Sequence, residues 1–106
     1  MEKMKQDPFK RVRSWAERVG IKAKATVNSQ FGKAQEEMIE LEVALRSGTQ
    51  DEKEKELGDV IVCLVNLAEK IGVSAEKCIH KAMAKNETRE KGGKMVGDVF
   101  VKASDL

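Results

Sequence analysis

"EKELGDVIVCLVNLA", residues 54–68, decides how this chain folds. An acidic start runs straight into a stretch that is apolar nearly all round between Leu57 and Ala68. Such a run reads as a helix buried at the centre of a bundle. Two carboxylates, Glu56 and Asp59, nevertheless sit three residues apart on its flank. On an α-helix their directions differ by about 60°. Like charges at that spacing repel by roughly 0.2–0.5 kcal/mol. The helix is expected from about residue 51 to residue 71, ending at Gly72.

Immediately upstream, "SGTQD" (47–51) reads as a turn, and residues 30–46 form another helix. Its apolar stripe is Phe31, Ala34, Met38, Leu41 and Leu45. There "QEEMIELEVAL" (35–45) repeats the acidic spacing, with Glu37 and Glu40 beside the stripe. The turn makes the two helices antiparallel neighbours, so both carboxylate pairs can face one another across the seam. Further out, Asp7 and Pro8 signal a helix start, Phe9, Val12, Ala16 and Val19 share one face, and Gly20 ends it. Residues 20–29 show no sustained period and are expected to be mostly loop. Downstream, Ser74 caps a fourth helix that reaches about residue 90. A Gly92–Gly93 break then leads to a short β-like run at residues 99–101. The expectation is a single all-α domain over residues 1–106. It is an antiparallel bundle of three to four helices with a short irregular or β-like tail.

Composition narrows the function. The chain has 106 residues, 41% hydrophobic and 36% charged, which suits a small soluble domain. No run of 18 apolar residues suggests a membrane span. The start "MEKMKQDPFKRVRSW" is charged and lacks an apolar leader, so a cytoplasmic location is expected. Cys63 and Cys78 fall in helical patterns and read as reduced packing thiols. Charge is segregated: the balance is +6 over residues 1–33, −6 over 34–59 and +3 over 76–102. A nucleic-acid binder would need one continuous basic face, and the acidic middle interrupts it.

Four inward carboxylates repel unless they are protonated or bound to cations. Glu-x-x-Glu is also common on solvated helix faces, so the pattern alone leaves a solvated face and a metal site both open. Asp59, inside the most apolar stretch, favours the metal site. A di-iron centre would want Glu-x-x-His from two helices. The chain has one His, His80, with no Glu three residues before it, and it reads as a surface residue. Zinc-type Cys/His spacings are missing too. A hard cation with oxygen ligands, Mg²⁺ or Mn²⁺, fits the donor set.

"EEMIE" (36–40), a 15-residue gap and "ELGD" (56–59) resemble the EExxE…ExxD signature of the MazG-like all-α nucleoside triphosphate pyrophosphohydrolases. The likeness covers roughly residues 30–90, and the tail from Gly92 is similar to that of small MazG-like proteins. The resemblance implies Mg²⁺ on Glu37, Glu40, Glu56 and Asp59. It also implies hydrolysis of a nucleoside or deoxynucleoside triphosphate to the monophosphate and pyrophosphate. Glu36, beside the ligand pair, is a candidate water-orienting base.

In "KNETR", Lys85, Asn86 and Arg89 continue one face of the fourth helix. Basic residues there also complement the helix dipole. The resemblance gives the Lys-x-x-x-Arg pair the triphosphate instead, with Lys94 as a further candidate. Trp15 and Phe31 are candidate base-stacking surfaces, and Gln30 a candidate hydrogen-bonding group. Phe31 lies on the apolar stripe, where packing is the plainer role. Lys33 shares the face of Glu37 and Glu40, available to a carboxylate or a phosphate. Ile39 and Val43 point away from that stripe, so a homodimer or homotetramer is expected, with Trp15 reaching a neighbour's base. Rival readings are a phosphoribosyl-ATP or dUTP/dCTP pyrophosphatase of the same superfamily, or a non-catalytic helical interaction module.

Overall fold

The computed structural model describes residues 3–106. Met1 and Glu2, where the charged amino-terminal stretch begins, lie outside the described residues. Helix α1 (Pro8–Val19) starts where its signals place it: the Asp7 carboxylate accepts the Phe9 N–H at 2.9 Å, and Pro8 opens the first turn. Gly20 ends it in the left-handed region, at φ 92°, where a side chain would be strained.

Residues 20–29 are more helical than expected. They contain α2 (Ile21–Lys24) and the first turn of α3 (Val27–Ser47). The physical reason is a reciprocal cap. Thr26 Oγ1 accepts the Ser29 N–H at 3.0 Å, and Ser29 Oγ accepts the Thr26 N–H at 2.9 Å. Serine stands here where Glu or Gln usually completes this box.

After Gly48 and Thr49 the chain enters α4 (Gln50–Lys70), with Thr49 Oγ1 accepting the Glu52 N–H at 3.1 Å. A Cβ on Gly48 would lie 2.8 Å from the Ala44 carbonyl oxygen, so only hydrogen fits this exit from α3. Two 21-residue helices joined by so short a link must run antiparallel to pack along their lengths. The α3–α4 pair is the main packing of the chain, and α1 and α2 rest on α4.

The core is made of small side chains. Ala34, Leu41 and Ala44 from α3 meet Val60, Cys63, Val65 and Ala68 from α4, with Ala16 from α1. Two expectations change here. The buried face of α3 is Gln30, Ala34, Glu37, Leu41 and Ala44, whereas Phe31, Met38 and Leu45 are exposed. The helix is turned by about one position from its most hydrophobic stripe, because alanines let the two backbones approach and the acidic edge is drawn into the seam. Nor is α4 buried all round: Leu57, Ile61 and Leu64 are each about half exposed, since the helices packed on it cover one side.

The chain divides into two compact units, one through Ala75 and the other from Glu76 to Leu106. The second contains nearly all of α5 (Ala75–Arg89) and an antiparallel hairpin of β1 (Lys94–Val96) and β2 (Val99–Val101). Met95 pairs with Phe100, and Gly97 turns the chain at φ 62°. The β-like run expected at 99–101 is thus a real strand with a partner before it. No residue of α5 is buried. The architecture is all-α apart from this hairpin, and no described helix is long and apolar enough to cross a membrane.

Candidate metal centre

Antiparallel pairing brings α3 and α4 together at the acidic motifs. One carboxylate oxygen from each of Glu37, Glu56 and Asp59 lies within 4.8 Å of the other two. Glu37 is buried, Glu56 half-buried and Asp59 exposed, so the trio runs from the seam to its mouth. Lys33 reaches one oxygen of Glu37 at 3.3 Å and Glu36 at 3.5 Å. The second oxygen of Glu37 and one of Glu56 are buried with no hydrogen-bond partner. A buried carboxylate oxygen without a partner is costly. Two of them beside a third carboxylate leave more negative charge at the seam than Lys33 alone offsets.

Glu40, the fourth motif carboxylate, is exposed but electrically tied to the others. Its carboxyl is pushed above the ordinary range first by the neighbouring carboxylate of Glu37, then by that of Glu56. Glu40 therefore feels Glu37 and Glu56, and those two adjoin Asp59. The all-oxygen donor set suits a hard divalent cation, and the orphaned oxygens show where positive charge is wanted. Cys63, one turn beyond Asp59 on α4, is a poor ligand: burial, followed by the charge of Glu37, pushes its thiol up. It packs, as does its position in the core. Cys78 is likewise a free thiol, and His80 is exposed.

The remaining sequence candidates belong to several different elements. Glu36 faces solvent and pairs with Lys33, which therefore meets carboxylates in this structure. Gln30 is buried on the inner face of α3, and Trp15 is 41% exposed on α1. Lys85, Asn86 and Arg89 are exposed along the end of α5, and Lys94 is exposed at the start of β1; all four belong to the second unit. One polar residue escaped the sequence reading altogether. Asn66 on α4 is 4% exposed, and its side-chain oxygen has no hydrogen-bond partner. The available signal was its spacing, seven residues after Asp59 on the same helical face.

Residues 26–93 match the family model for the MazG nucleotide pyrophosphohydrolase domain. That span covers well over half of the chain and both acidic motifs, and the chain belongs to this family. No significant match came from the curated proteins or from the solved structures.

Proposed function

We propose that this protein is a Mg²⁺-dependent nucleoside or deoxynucleoside triphosphate pyrophosphohydrolase, releasing the nucleoside monophosphate and pyrophosphate. The observation that carries the reading is the convergence of Glu37, Glu56 and Asp59 with two buried, unpartnered carboxylate oxygens. Family membership supports the reaction class. Glu37, Glu56 and Asp59, joined by Glu40, would hold the cation, with Mn²⁺ as the alternative. When bound, that cation supplies Lewis acidity and positive charge to the phosphate oxygens.

The chain's own side chains do the rest in this proposal. Glu36 orients the attacking water and takes its proton as the α–β phosphoanhydride opens. Lys85 and Arg89 offset charge on the departing phosphates, Arg89 as a two-pronged donor and Lys85 as a point charge. Asn86 and Lys94 add donors to the same group, and Gln30 and Trp15 contact the nucleoside. The domain acts as one unit over residues 1–106, in the cytoplasm, as a homodimer or homotetramer. The test is pyrophosphate release from a panel of ribo- and deoxynucleoside triphosphates, with Mg²⁺, Mn²⁺ or a chelator. Release that needs a divalent cation supports the reading. Failure on every nucleotide with either metal refutes it.

A further inference from the structure

A cleft of about 600 Å³ opens between α1, α2 and α4, wholly within the first unit. None of the four motif carboxylates lines it. It is lined by four Lys/Arg side chains against two Glu. Asn66 borders it, almost completely buried, with its carboxamide oxygen unpartnered. A buried amide oxygen left unsatisfied calls for a ligand that donates an N–H. Phosphate oxygens carry no such donor, and every nucleobase presents one on its hydrogen-bonding edge.

Position on the helix ties this cleft to the acidic centre. Asn66 follows Asp59 by seven residues, so the two share a face of α4 to within about 20°. They are separated by about 10 Å along the axis. That is the reach of a nucleoside from its phosphate to the far edge of its base. The walls suit a planar ring as well. Ala16 and Ile21 are apolar, and the Arg13 guanidinium is a flat surface on which a base can stack.

We infer that the α1–α2–α4 cleft receives the nucleoside end of the substrate, with Asn66 accepting a hydrogen bond from the base edge in place of Gln30 and Trp15, neither of which lines the cleft. The inference rests on the proposed pyrophosphohydrolase reading, in which the phosphates lie at Glu37, Glu56 and Asp59. Asn66 is a specificity-determining residue here, and Ser14, on the α1 wall, guards the cleft.

Steady-state pyrophosphate release by Asn66→Leu and Ser14→Trp tests it, with inorganic tripolyphosphate as a competing ligand that has phosphates and no base. Both variants should raise KM for the preferred nucleotide by about tenfold or more and flatten the preference among bases, Asn66→Leu by removing a buried hydrogen-bond acceptor and Ser14→Trp by filling the cleft with a large side chain. Inhibition by tripolyphosphate should stay at the wild-type level. Should Asn66→Leu fail to fold by circular dichroism, Ser14→Trp, at an exposed position, decides the matter. Wild-type KM and base preference in the folded variants overturn the cleft while leaving the reaction intact. Parallel loss of tripolyphosphate inhibition also overturns it, since the damage would then be to the phosphate end. No turnover by the unaltered protein on any nucleotide overturns both readings together.

Discussion

Glu37 holds Lys33 with one carboxylate oxygen, is 7% exposed, and has no partner for the other oxygen. Removing a negative charge from its neighbourhood should relieve repulsion in the metal-free protein and remove a ligand from the metal-loaded one. Asp59→Ala is therefore expected to abolish pyrophosphate release. Its melting temperature in a chelator should equal or exceed that of the wild type. Full turnover by this variant at ordinary Mg²⁺ would discard the site. Arg89 is exposed at the end of α5, so its proposed phosphate role can be tested apart from the core. Arg89→Ala should lower turnover by roughly 10²-fold with little change in melting temperature, and Asn86→Ala should be milder. If Arg89→Ala unfolds the chain while its folded fraction keeps full specific activity, Arg89 is a helix cap and no phosphate ligand. At this scale the convergence of Glu37, Glu56 and Asp59 was legible, because spacing on a helix translates directly into a shared face, whereas Glu40 stands outside that trio. Asn66 was marked only by its spacing from Asp59, because one amide within an apolar run looks the same in sequence whether it is satisfied or orphaned.

Helix α3 carries Glu37 and Glu40, and its first turn depends on the Thr26–Ser29 box. Thr26→Ala should cost about 1 kcal/mol, a drop of about 4–8 °C in melting temperature for a domain of this size. Differential scanning calorimetry measures it, and an unchanged melting temperature would mean the box contributes nothing. Helices α1 and α4 were read nearly to the residue, since Asp7–Pro8, Gly20 and the 47–51 turn are strong local signals. The start of α3 was missed because its cap uses Ser where the usual pattern has Glu or Gln. Its rotation was missed for a different reason. Hydropathy places Phe31, Met38 and Leu45 inward, whereas close backbone approach through Ala34 and Ala44 turns Gln30 and Glu37 inward instead. Composition reports which side chains are apolar, and packing decides which of them are covered.

For the whole molecule, the buried core is mostly alanine and valine while larger apolar side chains remain outside. Ile39 is 64% exposed, Val43 60% and Leu45 59% on α3, and Leu57, Ile61 and Leu64 on α4 are each about half exposed. At about 25 cal/mol per Å², covering several of them favours self-association by several kcal/mol before entropic costs. Light scattering at micromolar concentration should accordingly show a dimer or tetramer, and Ile39→Asp should shift it toward monomer. A folded, active monomer of 11.8 kDa would contradict the assembly. An Ile39→Asp protein that stays assembled would move the interface elsewhere. The central claim, a cation held by carboxylates of α3 and α4, has a more direct test in calorimetric titration of the metal-free protein with Mg²⁺. The wild type should bind saturably, and Glu56→Gln, which keeps the shape and removes the charge, should lose that binding while retaining its helical circular dichroism. Absence of saturable binding in the wild type, or equal binding by Glu56→Gln, would contradict the account.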